Sequence, residues 1–178
     1  MKPSQERLET VLALMKSQLE SRHGIAVRFV DVPAPYTGDL DGAEIHLQPD
    51  HELGMIVFTL SHLFGHTVQW SLAGRAWQPD AGDDGIYQEE ELAAVERFER
   101  EASCYGLGLL HEIGVTDLDG WISDFAACDY HYLDHFYRTG EKRPPEEFWK
   151  DDQPLLTPLP IPDFRPRHFK LRWDGVVL

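Results

Sequence analysis

The sequence predicts an α+β chain in which a mainly helical body carries a small antiparallel or mixed sheet and is followed by an extended, proline-rich C-terminal arm. Three observations predict it. Apolar residues recur at helical spacing in four long segments between residues 7 and 138. Two short apolar segments, 25–32 and 43–47, lie between the first two of these and are flanked by turn-forming residues. From Gly140 onward, Pro144, Pro145, Pro154, Pro158, Pro160, Pro162 and Pro166 leave no room for a helix beyond a short one over 146–150.

Each element has its own signal. Ser4 suits an N-cap, Leu8, Leu12, Met15 and Leu19 form one stripe through Arg7–Arg22, and Gly24 supplies a stop. Residues 25–32 and 43–47 read as strands, separated by the turn-rich segment 36–42. Asp50 suits the cap of a second helix from His51 to about Leu72, which is apolar around most of its circumference and therefore central. Residues 73–85 read as a loop that crosses or rims a cleft. Glu89, Glu90 and Glu91 place negative charge in the first turn of a third helix that ends near Gly114, and a fourth helix runs from about Leu118 to Arg138. Leu155, Leu156, Leu159, Ile161, Phe164, Phe169 and Trp173 give the arm apolar anchors, so it should wrap the body. The expected organisation is one domain, with residues 1–140 as its body and 141–178 as an arm packed on it.

Composition narrows the function classes. With 42% hydrophobic and 26% charged residues the chain can bury a substantial core. A net charge of −15 argues against direct binding to nucleic acid or anionic lipid. Residues 165–178 run the other way, with Arg165, Arg167, Lys170 and Arg172 against Asp174, so the tail can dock on the acidic body or on a protein or peptide partner. No apolar run approaches the roughly 20 residues needed to span a bilayer, and no secretory leader is evident, so cytoplasmic residence is expected. Two cysteines, Cys104 and Cys128, are too few for a disulfide framework and are expected to be reduced.

The chemistry concentrates in Phe58-Thr59-Leu60-Ser61-His62-Leu63-Phe64-Gly65-His66. Histidines four apart project from one helical face and can share a metal, as in the HExxH pattern. Leu63, however, occupies the position of the glutamate that activates water in that pattern. His51-Glu52 and His111-Glu112 begin like the motif but lack the second histidine. A third ligand is expected from the next helix, and Glu101 is the candidate, set among Val95, Phe98, Ala102, Tyr105 and Leu109 of the apolar stripe. The alternative is that Glu101 lies at the stripe's edge and pairs with Arg97 or Arg100.

Taken in order, Gly42-Ala43-Glu44-Ile45-His46-Leu47, then Phe58 to His66, then Glu101-Ala102-Ser103 resemble successive blocks of the ImmA/IrrE-type zinc metallopeptidases, of the gluzincin class. The resemblance covers about residues 5–140 as an order of elements, with its specific motifs confined to about twenty-five positions. It implies a zincin-like fold and a Zn²⁺ ion held by His62, His66 and Glu101, although two histidines and a carboxylate also suit Fe, Mn, Co or Ni. Leu63 departs from the family where peptide hydrolysis depends on it, because a positioned general base contributes about 10²–10⁴-fold. If the cleft is open at residue 63, Leu63→Glu should restore such a base.

A second constellation lies on the fourth helix, where Asp124, Cys128, His131 and His135 share a face. His131, His135 or Asp124 could replace the missing base, or supply a further metal ligand; the alternative is the polar side of a helix whose core face carries Trp121, Phe125, Tyr132 and Phe136. Three functions follow. The chain is a metal-binding, peptidase-deficient regulatory or sensing module, an active metal-dependent hydrolase with a substitute base, or a metal-free interaction scaffold. The first is preferred.

Overall fold

The computed structural model describes residues 2–33, 36–76 and 87–169. Helix α1, Gln5–Gln18, starts where the Ser4 side chain accepts a hydrogen bond from the Arg7 amide at 3.2 Å. It continues as a π-helical turn over Leu19–His23 and stops at Gly24, whose φ of +68° suits glycine. Leu8, Val11, Met15 and Leu19 are buried.

The sheet is mixed and has three strands, β1 (Ala26–Phe29), β2 (Gly38–Leu40) and β3 (Glu44–Leu47). β3 is central, parallel to β1 with Val27 opposite Ile45, and antiparallel to β2 with Leu40 opposite Ile45. β2 falls inside the segment expected to be only a turn. Gly38 and Asp39 are poor strand formers, but pairing with β3 and burial of Leu40 outweigh propensity over so short a span.

Helix α2, Leu53–Ala73, begins two residues later than expected, with Glu52 rather than Asp50 at the cap position. Every residue from Ile56 to Trp70 is buried, as its apolar circumference requires. Helix α3, Glu89–Glu112, opens with a reciprocal capping box: the Gln88 amide donates to Glu91 at 2.6 Å, and the Gln88 side chain accepts from the Glu91 amide. Helix α4, Asp119–Thr139, closes at Gly140 with φ +68°. No helix among the described residues is long and apolar enough to cross a membrane.

α2 and α3 meet through backbone. A Cβ on Gly65 would lie 2.0 Å from the Ala102 carbonyl oxygen, and one on Gly106 would lie 2.5 Å from that of Ser61. Glycine is required at both positions because each faces a neighbouring main chain that cannot yield.

After a 3₁₀ turn over Pro145–Phe148, the chain to residue 169 has no helix or strand and bonds to the body along its course. Gln153 N donates to Asp124 at 2.8 Å, Leu156 N to Ser123 Oγ at 2.9 Å and Leu159 N to the Cys104 carbonyl at 3.0 Å. Farther on, Phe164 stacks on His23 with centroids 5.6 Å apart, and Phe169 N donates to the Asp41 carbonyl at 2.8 Å. Leu156 is buried, while Leu155, expected as an anchor, is 64% exposed. Most of the loop expected over 73–85, together with Lys170, Arg172 and Trp173 of the tail, lies outside the described residues. Cys104 and Cys128 are both free.

The glycine contact makes a direct prediction. Gly65→Ala should destabilise the protein by about 2–3 kcal/mol through overpacking, as measured by urea denaturation. Gly120→Ala, whose new Cβ meets nothing nearer than Leu155 at 3.9 Å, should be neutral or slightly stabilising.

Candidate metal centre

α2 turns the His62 and His66 rings toward α3, with their Nε2 atoms 3.0 Å apart. The carboxylate that meets them is Glu99. Its Oε2 lies 2.9 Å from His62 Nε2 and 3.1 Å from His66 Nε2. One ligand atom from each of the three residues falls within 4.8 Å of the others.

The far nitrogens are held as well. His62 Nδ1 lies 3.1 Å from Ser103 Oγ, and His66 Nδ1 lies 2.9 Å from Gln69 Oε1. The Gln69 amide nitrogen donates to the Phe98 carbonyl at 2.9 Å and to Glu101 at 2.8 Å, both of which can only accept. That fixes the amide orientation, so His66 must donate from Nδ1 to Gln69 Oε1. In its neutral form His66 then presents a bare Nε2 lone pair to the Glu99 carboxylate. Two acceptors 3.1 Å apart repel each other unless a proton or a cation lies between them. The donor set, two imidazole nitrogens and a carboxylate oxygen with both rings held from behind, fits a divalent transition metal.

Glu101, expected as the third ligand, does not reach this cluster. It is exposed and receives the Gln69 amide, so it orients His66 through Gln69. The reason is helical phase. Ala102 lies under Gly65 and Ser103 touches His62, which makes them the positions of α3 that face α2. Glu99 stands three and four residues before them on that face, whereas Glu101 is rotated about 100° from Ala102.

Charge reinforces the cluster. Burial works against the ionised Glu99 carboxyl, but the charge of His66 and the hydrogen bonds from both histidines hold it well below its usual range. Burial likewise opposes a charged His62, yet Glu99 and Asp129 outweigh it and raise its pKa. Asp129, which the sequence did not suggest, projects from α4 with Oδ2 4.0 Å from His62 Nε2. Burial pushes its carboxyl up to about 6, opposed by the His62 charge and aided by that of Glu99.

His62 and Asp129 open onto a cavity of about 710 Å³ whose walls include Phe58, Trp121, Phe125 and Trp149. Asp124 also lines it, but one oxygen is taken by the Gln153 amide. His131 and His135 stand apart from the His62 cluster: His131 lies beside Tyr130, and His135 beside Phe148 with Glu141 at 3.8 Å. Glu112 is occupied with Arg22 at 3.3 Å. Leu63 is fully buried in the core, where a Cβ on Gly38 of β2 would come within 2.9 Å of its Cδ1. It lies away from the cavity walls, on the sheet side of α2.

No family model, curated protein or solved structure matches the chain.

Two outcomes are expected. Leu63→Glu should place a carboxylate in the core rather than the cleft, lowering stability by about 3–5 kcal/mol without raising peptide cleavage above that of the wild type, as followed by thermal melting and a cleavage assay. In chelator-treated protein the raised His62 contributes stability that is present below the ordinary histidine value of 6.5 and is lost as pH rises through its folded value. The depressed Glu99 contributes stability that is present above 4.5 and is lost as pH falls through its folded value. The stability difference between wild type and Glu99→Gln should therefore be largest between about pH 4.5 and 6.5 and shrink on either side, as read from denaturation curves across pH.

Proposed function

We propose that the chain is a zincin-like, metal-binding protein of the ImmA/IrrE type that has given up the HExxH peptidase mechanism and serves as a regulatory or sensing module. His62 Nε2, His66 Nε2 and the Glu99 carboxylate hold one divalent ion, with Zn²⁺ the first choice. Ser103 and Gln69 orient the two rings, and Glu101 orients Gln69. Such an ion would supply Lewis acidity at the end of the cavity.

The observation that carries this reading is the fixed tautomer of His66, which aims a lone pair at Glu99 across 3.1 Å. A proton can bridge the gap, but a metal satisfies all three ligand atoms at once. Leu63 supports the loss of the peptidase mechanism, since a fully buried aliphatic side chain against the sheet can neither take a proton nor reach a substrate. The net charge of −15 supports a protein or peptide partner over nucleic acid.

Elemental analysis of protein purified without a histidine tag tests the site. About one metal per chain is expected, lost in His62→Ala and Glu99→Ala and retained in Glu101→Ala with affinity weakened by about 10–100-fold. No metal in the wild type after zinc addition would replace this reading with a metal-free scaffold built on a histidine–glutamate ion pair.

A further inference from the structure

We infer that Asp129 stands in for the base missing at residue 63, making the centre a hydrolase site for acyl substrates with an aromatic or large apolar group beside the scissile bond. The inference rests on the metal-binding reading above and goes beyond a purely regulatory role.

Three features of the site converge on it. Asp129 is 4.0 Å from His62 Nε2 but is not among the ligand atoms that fall within 4.8 Å of one another. It is therefore beside the centre, at the distance of a group that touches what the centre binds. Its side chain is 18% exposed, and among the described residues no hydrogen-bond donor reaches the carboxylate. Its oxygens are not sealed off but keep access to the cavity, so a donor arriving there meets an acceptor that no group among the described residues occupies. Finally, the cavity is lined by Asp129 and His62 but not by His66 or Glu99, so a bound molecule approaches the centre past Asp129.

The same wall defines the substrate. Phe58 stacks on His62 with centroids 5.5 Å apart, Phe125 stacks on Phe58 at 4.7 Å, and Trp149 meets Phe125 edge-on at 5.1 Å. These rings form a continuous apolar track leading outward from the centre, suited to an aromatic side chain next to the reacting carbonyl. In the step itself, Asp129 takes one proton from a water as the water oxygen bonds to the substrate carbonyl carbon. The carbon–nitrogen bond then breaks, and the same proton passes from Asp129 to the departing amine, which leaves Asp129 ionised again.

The test uses the full-length, zinc-loaded protein with Asp129→Asn and Asp129→Glu. Calorimetry with N-hydroxy-3-phenylpropanamide, whose hydroxamate offers Asp129 a proton, should show binding about tenfold or more weaker in Asp129→Asn at unchanged zinc content. Phenylalanine-containing quenched-fluorescence peptides should be cleaved by wild type, about 10²–10⁴-fold more slowly by Asp129→Asn, with partial recovery in Asp129→Glu. Equal hydroxamate affinity in wild type and Asp129→Asn, or uncleaved peptides with zinc-loaded wild type, overturns the inference while leaving the metal site intact. Loss of zinc from both Asp129 variants overturns it too, since Asp129 would then be a ligand. Failure of wild type to take up zinc is the separate failure of the metal reading.

Discussion

The backbone contact between α2 and α3 is the constraint on which the rest depends. Gly65 lies on the Ala102 carbonyl and Gly106 on that of Ser61, so the two helices run closer than side chains normally permit. This closeness lets the short arm of Glu99 reach both imidazoles and lets the Ser103 hydroxyl reach His62. It also settles which faces of α2 do what. His62 and His66 look toward α3, while Leu63, one residue on from His62, looks toward Gly38 of β2. A residue that would be a base in one setting becomes core in another because the sheet closes over that side of the helix.

The polar centre sits in the most apolar part of the molecule and survives there because its groups are organised as a chain. Glu101 at the surface receives the Gln69 amide, Gln69 receives His66, and His66 and His62 converge on Glu99. Each link leaves the next atom one direction to point. Exposure of Glu101 keeps the outer end of the chain in water, so the full desolvation cost falls only on the inner carboxylates. Those two differ in the company they keep. Burial pushes both upward, but Glu99 has two imidazoles against it that outweigh burial, whereas Asp129 has one at 4.0 Å and Glu99 nearby, so burial prevails there and the net shifts run in opposite directions.

The parts of this arrangement that could be read in the sequence were those set by local periodicity. The four helices and the histidine pair follow from spacing within one segment, and their ends move by only a few residues. β2 could not be read that way, because Gly38-Asp39-Leu40 is a strand only by virtue of β3 beside it. Choosing between Glu99 and Glu101 required the rotational phase of α3 against α2. The apolar stripe through Phe98 and Tyr105 was a poor guide to that phase, since both residues are only partly buried. Glycines are the signal that was there to use: Gly65 and Gly106 mark the facing lines of two helices, and Glu99 lies seven residues before Gly106, two helical turns along the same line. Asp129 lay hidden because its neighbour Cys128 belongs to the more conspicuous face with Asp124, His131 and His135.

The segment from Gln153 to Phe169 ties three distant parts of the chain, bonding in turn to α4, α3 and the β2–β3 turn. Most of its bonds are made by its own amides to groups already fixed in the body, so the body serves as its template. During synthesis the body emerges first, with the Cys104 carbonyl, Gly108 and the Asp41 carbonyl facing water. Docking of this segment needs a surface on which α3, α4 and the sheet already stand in place. Its slow release in exchange or proteolysis experiments would report the integrity of α3 and the sheet together, because its amides bond to both.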